Sequence, residues 1–172
     1  MTSGTATGRR SGTGPPSRAP GLLTGIGLGG LVDGIVIHQV LQWHHMVSHV
    51  ERYPVTTLAG LEVNTLADGF FHVGAWLCVL VGSLGVLVSW RRGRLAPSWA
   101  FHVGLLLAGW GGFNLAEGVV DHHLLQLHHV RDDLGGPLSW DLGFLAFGVL
   151  LLAGGLLLHA RGRRRMLLGT SV

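Results

Sequence analysis

Lysine is absent from this chain, cysteine occurs once, and charged residues make up only 12% of it. Soluble domains carry about twice that charged fraction. The low charge, and the long apolar runs it leaves, exclude a soluble domain and point to an integral membrane protein. A lone Cys78 excludes an intramolecular disulfide and any Cys-x-x-Cys chemistry. Inside an apolar run it reads as a small buried hydrophobe. Sulfur ligands are otherwise limited to Met1, Met46 and Met166, which argues against a soft Cu(I) relay. All 12 basic residues are arginine, and ten of them fall in three places: the N-terminal tail, residues 91–94 and residues 161–165. They flank the apolar runs instead of forming one basic face, so nucleic acid is not an expected partner.

Four apolar segments are present, at about 21–43, 66–90, 98–123 and 139–160, each long enough to cross a bilayer. Residues 1–20 are rich in Gly, Ser, Thr and Pro and are expected to be a disordered tail. Residues 161–172 form a basic tail. With four spans, the three arginine clusters share one side, which the positive-inside rule makes cytoplasmic. Both termini are therefore expected in the cytoplasm of a bacterial cell, with the protein in its inner membrane. Asn64 is expected to cap the second helix.

The chain is organised around a repeat. Residues 33–45 return as residues 117–129, at a constant offset of 84, with seven of thirteen residues identical. The matched positions include Asp33 with Glu117, Gly34 with Gly118, His38 with His122, Gln42 with Gln126, His44 with His128 and His45 with His129. A fainter repeat at offset 73 matches Asp68 with Asp141 and Phe71 with Phe144, but puts Leu145 where the first copy has His72. The expected fold is all-α: an integral membrane four-helix bundle made of two parallel helical-hairpin repeats. Helices one and three then run in the same direction. They should touch through their Gly and Ala faces, with Gly34 near Gly118 and with Ala108, Gly112 and Ala116 as a small-residue stripe.

Ionisable side chains inside apolar helices are costly, on the order of 3 kcal/mol for an acid at mid-span, and mark functional positions. Here they are Asp33, His38, Asp68, His72, Glu117, Asp121 and His122. If helix one continues, His38, Gln42, His45 and His49 share one stripe, and Asp33 shares another with His44. Imidazole beside carboxylate suits a transition metal such as copper, zinc or iron. The expected ligands are His38, His122, His72, His45, His129, Asp33, Glu117 and Asp68. His44, His128, Asp121, Gln42, Gln126 and Asp141 would support them or form an outer site. His38 and His45 are seven residues apart, about 10 Å along a helix axis, so one ion cannot take both without a helix break. Two levels are therefore expected. An inner one would use His38, His122, His72 and the acids. An outer one would use His44 or His45 with His128 or His129. Haem on His72 and His102 ranks lower because the two residues lie at different depths. His102 otherwise reads as a packing residue.

The stretch from Gly27 to Met46, with Asn64, Asp68, Gly69, Phe70, Phe71 and His72, resembles an uncharacterised family of small bacterial four-helix membrane proteins. The resemblance spans nearly all of residues 21–160 and brings no assigned ligands. It implies a link to haem-copper oxidase assembly, and so copper handling, redox chemistry or a respiratory assembly partner. Two other readings stand beside the metal-binding one. One is a subunit of a proton-coupled small-solute transporter, which with four helices would need a homo-oligomer. The other is a structural partner in a membrane complex.

Overall fold

The computed structural model describes residues 14–169; the rest of the expected tails lies outside the described residues. The protein is an all-α membrane bundle with four helices long and apolar enough to span: Ala19–Val40, Leu58–Arg91, Trp99–Leu124 and Leu138–Leu167. Helix α1 (Ala19–Val32) continues as a π-helical segment, Asp33–Val40. After α2 (Leu58–Arg91), helix α3 (Trp99–Glu117) continues in the same way as a π-helical segment, Gly118–Leu124. Helix α4 is Leu138–Leu167. The second span begins earlier than the apolar run suggests, because Thr57 caps it by accepting the Gly60 N–H at 3.2 Å. Asn64 is therefore inside α2, not at its cap. Its buried side chain accepts the Val47 N–H and donates to the Tyr53 and Gly60 carbonyls, fastening the preceding loop. The fourth helix runs on to Leu167, so most of the basic tail is helical.

Helices α1 and α3 pack on each other at the centre, α2 packs on α1, and α4 packs on α3. The outer helices show large apolar side chains to the surroundings, among them Leu66, Phe70, Leu150 and Leu157. In a bilayer those faces meet lipid, and no hydrophobic force separates lipid from a leucine face. Close backbone approach decides the packing instead. A Cβ on Gly25 would collide with the Leu106 carbonyl, and one on Gly109 with the Leu22 carbonyl. These two contacts exchange under the offset of 84. Gly34 and Gly118 do not meet as expected. Gly34 receives the Phe71 and His72 rings from α2, and Gly118 receives Phe144 and Leu145 from α4. Ala108 faces Gly155 on α4, and Gly112 faces open space.

Both π segments end in a chain reversal. The Leu41 N–H bonds to the Val36 carbonyl and the Leu125 N–H to the Val120 carbonyl, each at 2.8 Å, closing six-residue turns. Gln42 (φ 55°) and Gln126 (φ 50°) then take the left-handed conformation that L residues avoid. The stripe of His38, Gln42, His45 and His49 accordingly does not form, because the helix has ended. Beyond the reversals the two loops cross. His49 N–H bonds to the Leu127 carbonyl at 3.0 Å, and Asp133 N–H to the Trp43 carbonyl at 3.2 Å.

Candidate metal centre

The π segments bring residues five apart onto one face, which an α-helix does not. His38 Nε2 thereby reaches 3.0 Å from Asp33 Oδ2. Glu117 and His122, also five apart, meet in the second copy within one potential ligand group with His128. The reversals at Gln42 and Gln126 fold the chain back, so that His44 and His128 descend to the depth of His38 and His122. Three overlapping groups of donors result, each within 4.8 Å: His38, His44 and His128; Glu117, His122 and His128; and Asp33, His38 and Glu117. All six residues are buried. The His44 and His128 rings stack at 4.4 Å between the two halves.

Hydrogen bonds at Nδ1 set the tautomers. Asp68 accepts the His38 Nδ1–H at 2.9 Å. His44 donates from Nδ1 to the Val130 carbonyl, and His128 from Nδ1 to the Met46 carbonyl, each at 3.1 Å. With Nδ1 protonated, the neutral ring turns an Nε2 lone pair inward, as in metal sites whose outer partners orient the ligands. His38 Nε2 and His44 Nε2 then face each other at 2.9 Å. Two lone pairs at that distance repel unless a cation lies between them or beside both. Bonds of 2.0–2.1 Å put two ligands of one ion roughly 2.9 Å apart at a right angle, which the pair matches. A proton on His38 would relieve this half alone. Both oxygens of Glu117, both nitrogens of His122 and Nε2 of His128 would still be buried without hydrogen bonds, as are the Asp33 oxygens. Burial, and next the neighbouring His38, hold the His128 imidazole down to about 4. Burial and then the neighbouring His128 and His38 push His44 well below its ordinary value. Both therefore stay neutral, the form that ligates.

The other residues singled out in the sequence lie around this core. Asp68 accepts from His38, His45 (2.6 Å), Gln39 and the Met46 N–H, and so fixes the His38 and His45 rings. Asp141 accepts from His129 (2.7 Å) and the Val130 N–H, and is 3.6 Å from His122 Nδ1. His45 and His129 are thus tied to these carboxylates through Nδ1. His72 joins none of the groups, and its Nε2 is buried without a partner. Asp121 is half-buried and also outside them. Gln42 and Gln126 shape the reversals. His102 donates from Nε2 to the Ala96 carbonyl, just before α3, at 2.9 Å, as a packing residue does. The inward placement of His44 and His128 does not follow from spacing on an uninterrupted α-helix. The available signal was the same acid-to-His interval of five in both copies.

Fold and site define an all-α multi-pass membrane protein whose His, Asp and Glu clusters are able to chelate a metal. Residues 20–162 match a family model described as "Predicted membrane protein (DUF2243)", and the chain belongs to that family. No curated protein and no solved structure matches it.

Proposed function

We propose that the protein is a membrane metalloprotein with a dinuclear centre. Asp33, His38 and His44, which meet pairwise at His38 Nε2, would hold one ion, and Glu117, His122 and His128, which form one mutually close group, would hold the other. The observation that carries this reading is the convergence of four imidazoles and two carboxylates in a buried core that leaves most of their inward atoms without partners. Charge supports two ions. Four carboxylates (Asp33, Asp68, Glu117 and Asp141) are buried around four imidazoles. Two divalent cations balance four negative charges, where an unbalanced buried charge is strongly destabilising. Each ion has two His and one carboxylate, a set with open positions that suits iron and is also open to zinc or copper.

The offset contacts support two parallel helical hairpins related by an axis along the membrane normal. Arg18, the 91–94 turn and the C-terminal arginines then lie at the cytoplasmic end of a bacterial inner membrane, and the centre lies in the extracytoplasmic half. Copper handling or respiratory-oxidase assembly rests on the family resemblance alone.

Elemental analysis of detergent-purified protein, made without chelator and supplemented with iron, zinc or copper, tests the centre. Wild type is expected to hold two ions per chain and the His38→Ala/His122→Ala double variant almost none. Metal-free wild type, or full occupancy in the double variant, overturns it.

A further inference from the structure

The crossed loops enclose a cavity of about 350 Å³ beside the centre. Its wall includes His44, His45, Ser48, His49, Asp132 and Asp133. His44 is shared: it lines the cavity and also meets His38 inside the core. No other residue of the two proposed ligand triads lines the cavity. At the outer wall His49 Nδ1 lies 3.3 Å from Asp132 Oδ1. Two ligands of a tetrahedral ion with bonds of 2.0–2.1 Å are separated by roughly that distance. The His49 side chain is 46% exposed and that of Asp132 only 11%, so the pair spans from water to interior.

The wall is acidic, and the neighbouring cation does not neutralise all of it. The Arg131 guanidinium lies 4.5 Å from the Trp43 ring centre and 5.0 Å from that of Trp140. It pairs with Asp133 at 2.8 Å. Asp132 has Ser48, the His129 N–H and His49 around it and, among the described residues, no arginine. The offset of 84 maps His49 and Asp132 onto Asp133 and Ser48. That second pair has no imidazole, and its carboxylate is taken by Arg131. The arrangement therefore occurs once, although the centre has two halves.

We propose that this cavity is an entry site for divalent transition-metal ions. His49 and Asp132 take a hydrated ion from water, and it reaches the first half of the centre past His44, the proposed ligand on the cavity wall. The proposal rests on the metal-centre reading, and the two can fail separately. A negative cleft raises the local cation concentration and on-rate by roughly tenfold or more, so the effect is on loading rate and not on final occupancy.

The test is stopped-flow loading of chelator-stripped, detergent-purified protein with Co(II), followed by its d–d absorbance, with final stoichiometry by elemental analysis. His49→Ala removes a largely exposed ligand. Val55→Trp fills the cavity from a side chain that is itself on its wall. Both variants are expected to reach wild-type stoichiometry about tenfold more slowly. Wild-type rates in both overturn the entry site and leave the centre standing. Wild type that takes up no Co(II) overturns the centre and the entry site with it. If Val55→Trp does not reach full stoichiometry, His49→Ala alone decides the result.

Discussion

The two halves of the proposed centre match residue for residue but not in completeness. Around Asp68 both oxygens are engaged twice, by His38 at 2.9 Å, His45 at 2.6 Å, Gln39 at 3.0 Å and the Met46 N–H at 2.8 Å. Around Asp141 the His129 and Val130 bonds are kept at 2.7 and 2.9 Å, but His122 stands off at 3.6 Å. His123, at the position of Gln39, turns to the Gly118 carbonyl at 2.6 Å instead. His38 lies flat on Phe71, with planes 12° apart, whereas His122 meets Phe144 at 51°. The first half is preorganised and the second must tighten. Ordering a loose ligand set takes free energy from binding, so the two ions should bind with unequal affinity.

The largest expected effect comes from breaking the tighter half. Asp68→Asn removes the acceptor that orients His38 and His45 together. Loss of such an outer partner lowers metal affinity by about 10–100-fold. Asp141→Asn should fall at the low end of that range, because one of its imidazoles is already out of reach. Competition titration with a metal-sensitive dye compares the two. A larger loss in Asp141→Asn would reverse the ranking of the halves.

A sharper form of the comparison removes one ligand at a time. Wild type should titrate as two classes of site. His122→Ala should abolish the weaker class and keep about one ion, while His38→Ala should leave only weak binding. Two identical classes in wild type would contradict the asymmetry.

Acid should act on His128, which also lies close to His38 and His44 of the first half. His128 has its pKa held near 4, below the ordinary value of 6.5, so it is neutral in the fold where the unfolded chain is already protonated. Its contribution is complete above about pH 6.5 and is lost as pH falls from there towards 4. His44 is shifted in the same direction. The thermal stability of metal-stripped protein should therefore decline through that window, and less steeply in His128→Gln. An equal slope in both would remove His128 as the cause.

Membrane character, the four spans and the pairing of Asp33, His38 and Asp68 with Glu117, His122 and Asp141 were legible because apolar length and a spaced repeat are direct sequence signals. The local turn geometry was not. On an α-helix, Asp33 and His38 point in different directions, and His44 lies more than a turn beyond His38. The π turn and the left-handed residue at Gln42 change both relations, and the left-handed position carries Gln, with no Gly to announce it. His72 looked like a ligand from its spacing to Asp68. It lies against Gly34 instead, in the place that Leu145 fills beside Gly118.

The smallest effect concerns those reversals. A left-handed residue other than Gly costs on the order of 1 kcal/mol. Replacement by Gly removes that cost but raises the entropy of the unfolded chain. At Gln42 the side chain also donates to the Gln39 carbonyl at 3.1 Å, which offsets its strain. No such bond is made by Gln126 among the described residues. Gln126→Gly should therefore stabilise the protein slightly, by about 0.5 kcal/mol, and Gln42→Gly should be near neutral. Unfolding in detergent, with the double variant as a check on additivity, reads the difference. If Gln42→Gly were the more stabilising of the two, the Gln39 bond would not support the first reversal.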